Sequence, residues 1–202
     1  MNFRPAALAA GPVTVLSLVL LVLTFAVEGF ESDLAIAESP IAIAASVCAM
    51  AGLMLLAFAL FRFMNELPSL REGLGLVGSN LAMVGTLLSV GGAWSMVFVL
   101  PGLAGMEAGR EIASSGIPLV QAGFIASFII LAIGWLLTAV SLVRSDAVPR
   151  WTAILLLVGA LICILPLPSR FFVIAIAVSV IEWNALGRQD SRRDRQVPVG
   201  AS

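Results

Sequence analysis

Six apolar runs, separated by short polar segments, divide this chain at about residues 12–27, 40–61, 74–100, 117–143, 151–166 and 171–187. A helix needs ~20 predominantly apolar residues to cross a bilayer. The pattern therefore predicts an all-α polytopic membrane protein. Its single domain, residues 1–187, is a six-helix transmembrane bundle, followed by a polar tail over 188–202 that is expected to be disordered. The second run starts at Ser39-Pro40, and proline suits the first turn of a helix. The third and fourth runs exceed the bilayer requirement, so tilt or protrusion is expected. The last two are short, at ~24–26 Å by helix rise. Between them, Pro166-Leu167-Pro168-Ser169-Arg170 cannot continue a helix comfortably. One helix over 151–187 would be ~55 Å long, too long for a single span. A re-entrant hairpin would leave Arg170 near mid-membrane at a cost of ~2.5 kcal/mol or more. Two short complete spans are the expected arrangement.

Arginine placement orients the bundle. With the N-terminus cytoplasmic, nine arginines fall on inside segments and only Arg110 and Arg170 on outside ones. The positive-inside rule then puts both termini in the cytoplasm. The first outside loop carries Glu28, Glu31, Asp33 and Glu38, although acidic residues set topology only weakly. One alternative stays open. Arg4 and the first apolar run resemble a secretory signal with a cleavage site near Ala35–Ala37, and cleavage would leave five spans.

Within the third run, Gly75, Gly78, Ala82, Gly85, Ser89 and Gly92 follow one another at spacings of 3, 4, 3, 4 and 3. In lipid, helices associate by close packing, and small residues let two backbones approach. A 3,4 spacing predicts a left-handed crossing. The stripe is expected to be a packing seam that makes this helix central. A homodimer seam or a cavity wall are the alternatives. Complementary small residues lie in the fourth run (Gly123, Ser127, Gly134, Thr138, Ser141) and the second (Ala45, Cys48, Ala49, Gly52).

Few polar side chains interrupt the runs. Glu182 is the ionisable one clearly inside an apolar run, and such a residue is a functional candidate by default. It stands six residues before Arg188, or ~9 Å by helix rise, so snorkelling or pairing with a tail arginine is the simpler reading. Asn80 is expected to make a helix–helix hydrogen bond, and Gln121 likewise. If their helices touch, Asn80 and Glu182 would form one polar intramembrane site. Trp94, Trp135, Trp151 and Trp183 fall near run boundaries and suit an aromatic belt. Glu107, Arg110 and Glu111 suit the solvated face of a short surface helix. Arg188, Arg192, Arg193 and Arg195 could meet anionic headgroups.

Composition narrows the chemistry. The chain has 202 residues, 60% hydrophobic and 11% charged, with mean hydropathy +1.09. Soluble domains carry about 25% charged residues. There is no histidine, tyrosine or lysine, all 11 basic residues being arginine. The common metal ligand and the lysine Schiff base are thereby absent. No phosphate loop, metal-ligand cluster, nucleophile elbow or intramembrane carboxylate pair is present. No catalytic residue, metal or cofactor is assigned. The net charge of −1 says little about partners, and with no basic stripe interleaved with aromatics nucleic acid is not expected as one. Cys48 and Cys163 lie in apolar runs and are expected to be unpaired.

The stretches SDAVPRWTAILLLVGALICILPLPSR and GAWSMVFVLPGLA resemble segments of uncharacterised multi-pass inner-membrane proteins of bacteria, of actinobacterial type. That resemblance implies a bacterial inner-membrane location and carries no activity or site residue. The sequence thus points to a non-enzymatic accessory or structural protein with the bilayer as its partner and homo-oligomerisation left open. The alternative is a small transporter or ligand-binding protein with its site near Asn80 and Glu182. An intramembrane enzyme is a weaker third class.

Overall fold

The computed structural model describes residues 3–28, 39–106, 118–165 and 170–196. Over these the chain is helical, with no strand. The elements are α1 (Arg4–Glu28), α2 (Pro40–Glu66), a 3₁₀ turn (Pro68–Leu70), α3 (Gly73–Ala104), α4 (Pro118–Ser145), α5 (Arg150–Ile162) and α6 (Phe172–Gln196). Four of them, α1 to α4, are long and apolar enough to cross a membrane, while α5 and the apolar part of α6, Phe172–Ala185, are shorter. Their outward faces carry large apolar side chains such as Phe58, Phe61, Val84, Leu87 and Ile129. Exposed apolar surface on that scale suits lipid, not water.

Several boundaries move from their expected places for local reasons. α1 starts eight residues before the expected 12, because the alanine-rich Arg4–Gly11 segment favours helix and carries it through Pro12. α3 likewise runs through Pro101 to Ala104. Pro40 stands in the first turn of α2 as expected, and Ser39 caps the helix: its hydroxyl accepts from the Ala42 amide at 3.3 Å. α5 stops at Ile162, four residues early, since the residue before Pro166 disfavours helix. α6 continues to Gln196, nine residues into the tail expected to be disordered. Arginine and glutamine are good helix formers there, and no proline intervenes before Pro198. Residues 29–38, with Glu31, Asp33 and Glu38, and 107–117, with Glu107, Arg110 and Glu111, lie outside the described residues.

Each helix packs on its chain neighbours, and α1 packs on α6, so the six close into a ring. The contacts run antiparallel throughout. Across α3 and α4, Gly78 faces Thr138 while Gly92 faces Phe124. Across α1 and α2, the Ser17 hydroxyl donates to the Ala45 carbonyl at 2.8 Å, and Thr14 faces Gly52. Across α1 and α6, the Ser179 hydroxyl donates to the Ala7 carbonyl at 2.8 Å and accepts from the Gly11 amide at 2.8 Å. Across α5 and α6, Gly159 faces Ile174.

The small-residue stripe Gly75, Gly78, Ala82, Gly85, Ser89 and Gly92 lies along the α3–α4 contact. A Cβ added to Gly85 would collide with the backbone of Leu131, and one added to Gly134 with that of Ala82. Thr138 and Ser141 complete the α4 side, whereas a Cβ added to Gly123 would meet no neighbour and Ser127 bonds the Gly123 carbonyl of its own helix. The expectation that α3 is central is corrected: it is the least buried of the four long helices, and α4 is the most. The stripe is narrow, and the rest of α3 faces outward. The small residues of α2 also serve a different neighbour from the expected one, packing on α1.

Trp135 departs from the aromatic-belt reading. It is fully buried, and its indole Nε1 donates to the Thr86 hydroxyl at 3.3 Å. Position 135 falls in the middle of α4, where a buried indole needs a polar partner. Trp94, Trp151 and Trp183 are exposed. Gly85→Leu should therefore lower stability by ~3 kcal/mol through overpacking. Gly91→Leu on the open face, where nothing lies within 4 Å of an added Cβ, should be silent. Thermal unfolding of both variants in mild detergent checks this.

Candidate functional site

Glu182 is the most buried charged side chain among those described, at 1% exposure. It sits on α6 among apolar neighbours, including Val178 and Ile181. Burying a carboxylate without a counter-charge is costly, so its partners decide its role. Those partners come from the first two helices. The Arg4 Nε donates to Glu182 Oε1 at 3.0 Å. The Arg62 guanidinium stands 3.3 Å from the same oxygen and donates to Glu66 on the next turn at 2.9 Å. Two arginines and two glutamates thus form one cluster with no net charge, joining α1, α2 and α6.

Local packing positions these groups. Phe3 stacks on Phe58 with ring centroids 5.4 Å apart and meets Phe61 edge-on at 5.8 Å. That anchors the chain just before Arg4 against α2. Ser179, one turn before Glu182, ties α6 to α1 at Ala7 and Gly11. Arg62 lies on α2 next to the buried Phe63, and its side chain is largely covered. A cavity of about 220 Å³ reaches Glu182 from the α4–α5 turn, lined by Glu66, Val148, Pro149 and Asn184.

The expected partners of Glu182 are different. The helix geometry directs its carboxylate inward to Arg4 and Arg62, in place of the tail. Arg188, Arg192, Arg193 and Arg195 lie on the α6 backbone, and their side chains fall outside the described residues. Asn80 does not meet Glu182. α3 stands apart from α6 in the ring, and Asn80 is exposed, its amide donating to the Leu76 carbonyl of its own helix at 2.7 Å. The joint Asn80–Glu182 site is corrected on that ground, as is the expected helix–helix bond from Asn80. Gln121 is exposed too.

Arg4 and Arg62 were legible only as inside-loop charges, because pairing across the chain has no local signature. A second missed feature had one. Ala7, Ala10, Thr14, Ser17 and Thr24 are all buried on α1, and their heptad-like spacing repeats the logic of the α3 stripe. Thr14 and Thr24 bond back to the carbonyls of Ala10 and Leu20, which satisfies their hydroxyls without a partner helix.

A larger cavity, about 710 Å³, opens at the opposite end of the bundle between α2, α3, α4 and the α5–α6 turn. Leu53 borders it, and Phe63 borders the smaller cavity. Those residues are ten positions apart on α2, or ~15 Å by helix rise. Between them stand the fully buried Leu56, Leu60, Trp135, Leu156, Ile174 and Val178. The two cavities are thus separated by packed apolar core. Among the described residues no three acidic or cysteine side chains group as metal ligands, and Cys48 and Cys163 are free thiols. No known protein family, curated protein or solved structure matches this chain.

Removing one member of a buried ion pair typically costs 3–5 kcal/mol. Glu182→Gln should lose ~3 kcal/mol in reversible unfolding, while Glu66→Gln, at the half-exposed end of the cluster, should lose under ~1 kcal/mol. Equal losses would contradict the placement of Glu182 as the buried centre.

Proposed function

We propose that this chain is a non-enzymatic integral membrane protein of a bacterial inner membrane, an accessory or structural component with both termini in the cytoplasm. Its six helices make six spans, of which α5 and the apolar part of α6 are the shortest. The observation that carries this reading is the pairing of Glu182 with both Arg4 and Arg62. The one acid inside an apolar run is engaged in joining the first, second and last helices. The antiparallel ring supports an even number of passes, and nine arginines at the end of the bundle with the termini support a cytoplasmic assignment for that end. The burial of Ala7, Ala10 and Thr14 supports α1 as a resident helix over a cleaved signal. The bilayer is the partner, and Arg188, Arg192, Arg193 and Arg195 meet its anionic headgroups. The α3 stripe is taken up by α4 within one chain, so any second copy docks elsewhere.

The 220 Å³ cavity at Glu182 favours one other reading, a small transporter or ligand-binding protein using Glu182 without Asn80. The packed core beyond the cavity offers no continuous path, so transport would require α5 and α6 to move. Complementation separates the two, in a strain where deletion of the gene has a phenotype. The structural reading expects Glu182→Gln to lose function in proportion to its lower protein level. Full protein level with abolished function would establish the transport reading instead. Topology is checked by impermeant maleimide on Ser32→Cys and Ser145→Cys, each in a chain lacking its native cysteines. Position 32 should label from outside and position 145 should not; the reverse pattern would overturn the orientation.

A further inference from the structure

The larger cavity follows from unequal helix lengths. α5 has 13 residues, ~20 Å by helix rise, against ~30 Å of bilayer hydrocarbon. α2, α3 and α4 have 27, 32 and 28 residues and continue past the hairpin turn. The space left above that turn is a vestibule of about 710 Å³, inside the ~300–1,000 Å³ range of small-molecule sites. Its walls are apolar, with Met96, Phe124, Ile125 and Ile129 among them, and Arg170 and Phe171 lie at its floor. The end of α5 is tied to the residues just before α6 by the Cys163 thiol, which donates to the Arg170 carbonyl at 3.3 Å.

Arg170 is the anomaly. Its guanidinium lies 4.0 Å from the centre of the Phe128 ring. Phe128 is ten residues into α4, ~15 Å from its first residue, so the charge sits well below the end of the bundle. The ion pairs among the described residues join Arg4, Arg62 and Arg150 to Glu182, Glu66 and Asp146. None reaches Arg170. A ring face offsets part of a guanidinium's charge but accepts none of its five N–H donors in line. A half-buried cation in an apolar vestibule, with no anion beside it among the described residues, lacks a counterpart there.

We propose that the vestibule binds a lipophilic carboxylate, a hydrocarbon body ending in one carboxylate that pairs with Arg170. The carboxylate matches the planar fork of the guanidinium in a bidentate pair, and the hydrocarbon body covers the apolar walls. A neutral lipid would leave Arg170 unpaired, and a small anion would leave the walls uncovered. This assignment goes beyond the structural role above and does not depend on Glu182.

The test uses the full chain in phosphatidylcholine nanodiscs with three probes: radiolabelled myristate, tetradecanol and acetate. Myristate should bind saturably at one site, at least tenfold more tightly than tetradecanol, and acetate should not compete. Arg170→Gln should abolish the tenfold preference and Arg170→Lys should keep most of it. Ala93→Phe, which fills the vestibule from α3, should weaken myristate and tetradecanol alike. Unfolding temperatures confirm that each variant is folded. The proposal is overturned if myristate shows no saturable site, as expected were the vestibule filled by neutral lipid or by residues 107–117. It is equally overturned if Arg170→Gln keeps the preference or if acetate competes as well as myristate.

Discussion

A carboxylate surrounded by apolar helices must be met by positive charge, or its helix is drawn toward water. In this protein that charge comes from the opposite end of the chain. Glu182 on the last helix takes Arg4 from the start of the first and Arg62 from the end of the second. The pairing brings three helix segments to one level of the bundle and fixes which neighbours close the ring. Apolar burial alone could not do so, because lipid tails solvate leucine as well as another helix does.

The remaining contacts use close approach. Along α3 and α4, backbones come together where Gly85 and Gly134 leave room, and along α1 and α6, Ser179 bridges Ala7 and Gly11. These contacts and the ion cluster serve the same end by different means. Small residues set how near two helices lie, and the charges set which helices and which depth. The short α5–α6 hairpin is the exception to this dense packing. It stops below the ends of its neighbours and leaves the vestibule floored by Arg170.

Much of this was legible in the sequence. The apolar runs located the four long membrane-spanning helices and the two shorter ones among the described residues, Ser39-Pro40 marked the start of α2, and the glycine stripe marked a close-packed face. The partner of each face was not legible. Gly52 and Ala45 on α2 could have matched α3 as well as α1, since small residues are complementary to any other small surface. Trp135 was read as part of an interfacial belt and proved to be core, because whether an indole meets lipid or a neighbouring helix is decided by tertiary packing. Glu182 stood out as a candidate from its setting alone, but its partners lie 178 and 120 positions away, beyond any local pattern. Asn80 shows the converse: an exposed polar residue within an apolar run can satisfy itself on its own helix turn and need no neighbour.

The closed ring requires the first and last helices to lie side by side. A Cβ on Gly11 would lie 3.1 Å from the Cβ of Ser179, close to the ~3.5–4.5 Å spacing of a disulfide. The most direct measurement is oxidative cross-linking, in native membranes, of a chain carrying Gly11→Cys and Ser179→Cys with Cys48 and Cys163 replaced by alanine. An efficient disulfide within one chain is the expected result. Cross-links only between chains, or none at all in a folded protein, would contradict the closed ring.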